Sequence, residues 1–380
     1  MHILIAPNAF KGSLSAEEAA KTIAEGLRES EWNGDITLSP IADGGDGTAS
    51  LLNKYWNAES IPVPVHDPLG RMMTASFGWI QKEKKAVIDI SEASGIKLLR
   101  KGDLNPLHAH TFGTGELIKA ALDKGAEKII IGVGGSATVD GGTGLLKGLG
   151  IQYFDEGGNE IHDLPLGLLK LSRIHITRMH ERSSQVEIVV LCDVQNKLLG
   201  DEGAARIFGP QKGADDEGIV LLEQCMKQWN DMTILTMHRN MATLKYGGAA
   251  GGIAAGLAVY TQAKLVSGID YFLSEMHFET LLQEADLIIT GEGSMDEQTL
   301  EGKGPFGIAC MAKKKDIPVI GLAGQIRVAP QSELYQYFRE LIAINPPDIA
   351  LASAIKDTSV NLKKTSVKLG NSLATLRNKR

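Results

Sequence analysis

The sequence predicts an α/β protein of two domains, a parallel-sheet domain with a second, mixed α/β domain inserted into it. Three observations lead there. Near-continuous apolar runs recur along the chain, most of them are followed by a helical pattern, and two stretches, 61–90 and 156–284, break that rhythm. Apolar runs without alternation are typical of strands covered on both faces. Strands alternating with helices imply right-handed crossovers and a parallel sheet. At 380 residues the chain is long for one core, which suits two domains.

The first run, Ile3–Ala6, leads into the loop Asn8-Ala-Phe-Lys-Gly-Ser-Leu-Ser15. Ser15-Ala-Glu-Glu18 reads as a capping box, and Ala19, Ile23, Ala24 and Leu27 then recur at helical spacing. The later runs are Ile36–Ser39, Lys128–Val133, Leu287–Thr290, Val319–Leu322 and Leu341–Ile344. Helices are expected over Thr114–Lys124, ended by Gly125, and over Pro305–Lys315, with proline near its start. Residues 61–90 read as a meander around the turn Asp67-Pro-Leu-Gly70. Residues 156–284 mix one strong strand, Val186–Cys192, with helices and long loops. These patterns assign 1–60, 108–155 and 285–380 to a Rossmann- or flavodoxin-like domain. They assign 61–107 and 156–284 to the insertion.

Composition narrows the function. The net charge of -7 gives no support for a nucleic-acid surface. The basic stretch from Lys363 to Arg380 reads as a terminal helix whose cations suit the helix dipole. Tyr246 to Gln262 is uncharged but Gly- and Ala-rich, and reads as a buried helix rather than a membrane span. Three scattered cysteines, with no C-x-x-C pair, argue against a disulfide framework or a zinc site and suit a reducing cytoplasm. No signal peptide is expected at the N-terminus. The 43 glycines cluster in loops after apolar runs, where backbone bends tightly or approaches a ligand.

Those loops carry the chemistry. A strand–loop–helix unit sets an anion against free backbone N–H groups, and here the loop adds the cation Lys11. The loop Asp43-Gly-Gly-Asp46-Gly-Thr48 brings paired carboxylates. A lysine for phosphate and carboxylates for magnesium are parts that phosphoryl transfer needs. The loop from Gly132 to Gly144 partly fits the dinucleotide pattern G-x-G-x-x-A, with Asp155 about 20 residues on. That fit supports an alternative, an NAD-dependent dehydrogenase of a small hydroxy acid. Thr138-Val-Asp-Gly-Gly142 disrupts the helix that the fingerprint requires, so an anion cradle of backbone N–H groups with the Ser136, Thr138 and Thr143 hydroxyls is the better reading. In Thr290-Gly-Glu292-Gly-Ser294-Met-Asp296, Glu292 and Asp296 are candidate magnesium ligands, and Lys303 a candidate phosphate contact. Asp193, closing a buried strand, is a candidate base. Phe208-Gly-Pro-Gln-Lys212-Gly is a further glycine-rich turn with one cation. His108-x-His110 has no third ligand at metal spacing. No P-loop, protein-kinase, G-x-S-x-G or H-E-x-x-H motif occurs.

At these residues the chain resembles the bacterial glycerate kinase family of the first type, over nearly its whole length. The resemblance rests on Phe10-Lys-Gly-Ser-Leu-Ser15, Ala42-Asp-Gly-Gly-Asp-Gly-Thr48, Asp67-Pro-Leu-Gly-Arg71, Thr114-Gly-Glu-Leu117 and Gly134-Gly-Ser-Ala-Thr-Val-Asp-Gly-Gly142. It continues through Cys192-Asp193, Phe208-Gly-Pro-Gln-Lys-Gly213, Gly291-Glu-Gly293 and Gly302-Lys303. Asp46 stands where the family more often has Glu, Val139 replaces a common Asn, and Ser294 replaces a common Arg. The resemblance implies ATP-dependent phosphorylation of D-glycerate, two α/β domains with the active site between them, and magnesium. The 2-phospho product is favoured.

On that basis Lys11 is expected to stabilise the transferring phosphoryl group, and Asp43 and Asp46 to hold magnesium or position the substrate. Asp193 is the candidate base. Ser13 and Arg71 are expected at the substrate, a guanidinium being able to pair a carboxylate bidentately. Gly134, Gly135, Ser136, Thr138, Glu292 and Lys303 are expected at the nucleotide phosphates, with Asp46 and Asp296 on the metal. The expected setting is a cytoplasmic monomer or homodimer without nucleic-acid or membrane partners, in which domain closure excludes water.

Overall fold

The computed structural model describes residues 1–301, 304–329 and 331–377. The chain divides into two compact units, Met1–Asp43 with Ile269–Arg380, and Gly44–Gly268. Both are mixed α/β.

The first unit holds a five-stranded sheet in the order Glu340–Ala343, Val319–Arg327, Leu287–Asp296, His2–Ile5, Asp35–Leu38. All its pairs are parallel, with Ile3 opposite both Leu287 and Ile36. Ile3, Leu4 and Ile5 are fully buried, as an unalternating apolar run predicts. The helix Ala16–Arg28 starts at the expected box. Ser15 N donates to Glu18 Oε2 at 2.8 Å, and Glu18 N donates back to Ser15 Oγ at 3.2 Å. Its buried face, Ala19, Ile23 and Leu27, joins the sheet residues and Leu362 of the helix Thr358–Arg377 in one core. Each large aliphatic side chain buried there contributes about 1.5–3 kcal/mol. Gly26 permits the helix contact, since a Cβ there would stand 2.6 Å from Lys363 O.

The second unit holds a six-stranded sheet in the order Lys264–Ser267, Glu187–Cys192, Lys128–Gly132, Lys85–Asp89, Met72–Ile80, Glu59–His66. The first four strands are parallel and the last two antiparallel, which is the expected meander. Pro62 and Pro64 lie on the edge strand Glu59–His66, where a missing N–H costs least. Trp229 anchors the core. It meets Tyr153 edge-on with centroids 5.5 Å apart, stacks on Tyr260 at 5.1 Å, and donates from Nε1 to Gly141 O at 3.2 Å.

The division differs from that expected. Residues 44–60 and 108–155 belong to the second unit, because Lys128–Gly132 is hydrogen-bonded between Lys85–Asp89 and Glu187–Cys192. Helices form at Phe112–Asp123 and Gly304–Lys313, close to their expected spans. The uncharged segment forms the helix Ala249–Tyr260, but Ala250, Gly251 and Gly252 have left-handed backbone, so regular helix begins at Ile253. Among the described residues no helix is long and apolar enough to cross a membrane.

Candidate functional site

In the first unit, the loop after His2–Ile5 and the end of Leu287–Asp296 are neighbours. Asn8 N donates to Gly291 O at 2.8 Å, and Thr290 Oγ1 to Ala6 O at 2.7 Å. A Cβ on Gly293 would lie 3.5 Å from Lys11 N. Lys11 itself is exposed. The Asn8 side-chain amide donates to Asp43 Oδ2 at 2.7 Å, and both residues are buried. Glu292 is buried and accepts from Thr299 Oγ1 at 3.3 Å, and that same Oγ1 accepts from Asp296 N at 3.1 Å. Ser13 Oγ donates to Ile355 O at 2.8 Å. The structure thus gathers Lys11, Asp43 and Glu292 toward the C-terminal ends of three adjacent parallel strands, where α/β sheets bind ligands. Lys303 lies outside the described residues.

In the second unit, the sheet register brings several candidates to one edge. Asp89 pairs with Gly132, Gly132 with Leu191, and Cys192 with Ser267, so these parallel strands end together. The strand Met72–Ile80 runs the other way, with Ile80 opposite Lys85, so its start lies at that same edge. Arg71 therefore shares the edge with Asp89, with the loop after Gly132 and with Asp193. Arg71 Nε donates to Asp67 Oδ2 at 2.5 Å, and Asp67 Oδ1 accepts from Leu69 N and Arg71 N at 2.9 Å each. The turn is closed by Gly70 N donating to Asp67 O at 3.0 Å, with Gly70 at φ 79°.

The loop after Gly132 is held on every side. A Cβ on Gly134 would stand 2.0 Å from Asp46 N, so only glycine allows the approach. A Cβ on Gly135 would lie 3.4 Å from Asp46 Oδ1. Ile96 N donates to Gly135 O at 2.8 Å and Ala137 N to Ser94 O at 2.9 Å. Lys212 Nζ donates to Ser136 Oγ at 2.6 Å and to Thr138 O at 2.7 Å. Asp140, fully buried, organises the rest of the loop. Its Oδ2 accepts from Thr111 N, Thr111 Oγ1 and Gly144 N at 2.9, 2.7 and 3.0 Å, and its Oδ1 from Gly142 N at 3.1 Å. The following helix, Thr143–Gly148, starts only after these glycines. A dinucleotide fingerprint needs the helix to start among its glycines, so the dehydrogenase alternative has no support here.

Burial sets the electrostatics. It pushes Asp89 up to about 6, helped by the charge of Asp46 and opposed by the hydrogen bond from Ser91 N. It pulls Lys212 down to about 7, against the opposing charges of Asp140 and Asp193. Asp193 thus faces the same ammonium that grips Ser136 and Thr138. His108 Nδ1 lies 3.0 Å from Asp163 Oδ1, and burial lowers the pKa of His110. Among the described residues no three His, Cys, Asp or Glu side chains gather as a metal group.

Sequence reasoning left Asn8, Asp89 and Asp140 without roles, and noted Lys212 only as a cation in a turn. The one local signal for Lys212 is that turn itself, where Gly213 takes φ 101° directly after it. The pair Asp43 and Asp46, neighbours in sequence, divides between the units, with Asp43 closing a segment of the first.

Fold and loops together define a class, an α/β protein with glycine-rich loops beside carboxylates and ammonium groups. The model of the glycerate kinase family matches residues 3–374. The chain is similar to a glycerate kinase of Bacillus subtilis (strain 168), 41% identical over 367 residues and 96% of each chain. It is 39% identical to the glycerate 2-kinase of Escherichia coli (strain K12) over 358 residues, 93% of this chain and 94% of the relative. A solved crystal structure assigned as glycerate kinase 2 from Salmonella typhimurium LT2 superposes with a TM-score of 0.81 at 38% identity, covering 100% of this chain and 99% of the other. The chain belongs to the glycerate kinase family.

Proposed function

We propose that this chain phosphorylates D-glycerate with ATP and that the product is 2-phosphoglycerate. The observation that carries the reading is membership of the family across residues 3–374. Support for the 2-position comes from the relative named as a 2-kinase.

In this reading a glycerate hydroxyl oxygen attacks the γ-phosphorus of ATP. The bond from that phosphorus to the β,γ-bridging oxygen breaks, ADP leaves, and the hydroxyl proton passes to a base, for which Asp193 is our candidate. Lys11, exposed at the end of a parallel strand, stabilises negative charge on the moving phosphoryl group. Asp43 positions the reacting groups through its hydrogen bond with Asn8. Arg71, pre-oriented by Asp67, is our candidate anchor for the glycerate carboxylate, and Ser13 is a further candidate substrate contact. Gly134, Gly135, Ser136, Thr138, Glu292 and Lys303 serve the nucleotide phosphates.

Magnesium suits the donor set, since carboxylate oxygens are its natural ligands and it needs only one or two from protein. Glycine at 135 leaves open the space beside Asp46 Oδ1. Asp46, in the second unit, and Asp296, in the first, are each a candidate ligand, and the ion's chemistry would be to neutralise phosphate charge. We read the setting as cytoplasmic, the chain as a monomer or homodimer, and its partners as small molecules alone.

The test couples the purified chain, ATP, magnesium and D-glycerate to enolase without phosphoglycerate mutase. Formation of phosphoenolpyruvate supports the reading in full. Glycerate-dependent ADP release without phosphoenolpyruvate moves the phosphate to the other hydroxyl. No glycerate-dependent ADP release overturns the reading.

A further inference from the structure

Lys212 has no part in the roles above, yet it is 2% exposed and makes two short contacts in the anion loop. An ammonium has donors and no acceptor, so Ser136 Oγ must accept in its contact with Nζ. The hydroxyl keeps its own proton, and no described residue takes it. Thr138 Oγ1 also has no hydrogen-bond partner among the described residues, although Thr138 is 0% exposed. Buried polar groups are nearly always paired. The enclosed ammonium therefore touches one hydroxyl with an unused proton, Ser136, and the carbonyl of Thr138, whose own hydroxyl is also unused, in a loop fixed by Gly134 against the Asp46 backbone.

We propose that Lys212 is a positioning residue that makes Ser136 a one-way donor to an anionic oxygen of a substrate. That oxygen belongs either to the sugar-acid carboxylate or to a nucleotide phosphate. The proposal rests on the kinase reading. With Lys212 charged, the lone pair of Ser136 is occupied and its proton is directed away from the ammonium. With Lys212 neutral, the amine has a lone pair of its own, and the Ser136 hydroxyl can donate to it instead of to substrate. The groups facing the ammonium are the Ser136 hydroxyl, the Thr138 carbonyl, the carboxylates of Asp140 and Asp193, and the Phe208 ring at 6.0 Å. Burial holds the proton loosely enough for this exchange to fall near pH 7.

The experiment measures kcat and KM for D-glycerate and for MgATP from pH 6 to 9, in the full chain and in Lys212→Met, Ser136→Ala and the double variant. Each single variant is expected to lose about tenfold or more in kcat/KM for one substrate, and the double no more than the worse single. The parent kcat/KM should fall as Lys212 loses its proton, and both single variants should lack that fall. A KM rise for glycerate assigns the carboxylate; a KM rise for MgATP assigns the phosphate. Additive losses with the parent pH profile retained overturn the proposal, as does a folded Lys212→Met with parent kinetics. If circular dichroism shows Lys212→Met unfolded, Ser136→Ala decides alone, and parent kinetics with the parent pH profile overturn the proposal. A parent without glycerate-dependent ADP release overturns the kinase reading and this proposal with it. An active parent with indifferent variants overturns this proposal alone.

Discussion

Asn8 and Asp43 are joined by a 2.7 Å hydrogen bond across 35 residues of sequence. The bond ties the loop after the first strand to the loop after the second, beside the exposed Lys11. Asn8→Ala removes one donor from a buried carboxylate and should cost about 1–3 kcal/mol. Urea denaturation measures it. A loss below about 0.5 kcal/mol, the range of ordinary surface changes, would show that the bond adds nothing to the fold.

Asp140, fully buried, accepts four hydrogen bonds and is expected to act on stability. Asp140→Ala leaves the N–H groups of Thr111, Gly142 and Gly144 without their acceptor. We expect a loss of at least about 3 kcal/mol, since each hydrogen bond to a charged group is worth about 1.5–3 kcal/mol. Unfolding at the parent midpoint would refute this.

Two glycines with different constraints should separate function from fold. Gly47 has φ 85° and open space around it, so Gly47→Ala meets only backbone strain, roughly 1–2 kcal/mol. Its turnover should stay within about tenfold of the parent. Gly134→Ala forces a Cβ against the Asp46 peptide and should lower turnover by about 100-fold, near 2.7 kcal/mol in barrier. Equal kinetics in the two variants would refute the distinction.

The buried ammonium predicts a pH signature in stability. Lys212 has a folded pKa of about 7, below its unfolded value of 10.5. Between these values the unfolded chain binds the extra proton, so stability rises with pH across that window. Below about pH 7 the full penalty of the buried charge is present. Lys212→Met removes this contribution. The parent should therefore gain stability relative to Lys212→Met between pH 7 and 9 in urea titrations. A constant or falling difference would contradict the assignment.

Two cations are expected to act on different constants. If Lys11 acts as proposed, Lys11→Ala should lower turnover by more than about tenfold, because the ammonium that offsets negative charge on the moving phosphoryl group is gone. Arg71→Ala should raise the glycerate KM substantially. An unchanged KM removes Arg71 as the carboxylate anchor.

Local features of this fold are legible in the sequence because both halves of each interaction are close by. The Ser15–Glu18 box, the Asp67–Gly70 turn and the stop at Gly125 are of this kind. The apolar runs also identify the strands. What they do not encode is which sheet a strand joins. The run at Lys128 looks like the run at Ile3, yet its partners are Lys85–Asp89 and Glu187–Cys192, so the expected boundaries are displaced. The site follows the same rule. Glycines and carboxylates stand out in their loops, whereas the burial of Lys212 depends on residues 74 and 76 positions away. Arg71 looks like an isolated turn cation, and only the antiparallel register brings it to the edge shared by Asp89 and Asp193.

The bare contact of Gly134 with the Gly45–Asp46 peptide has a consequence for engineering. No side chain cushions the meeting of the two main chains. The two loops must therefore be redesigned as a single piece, since re-aiming either one alone drags the other with it.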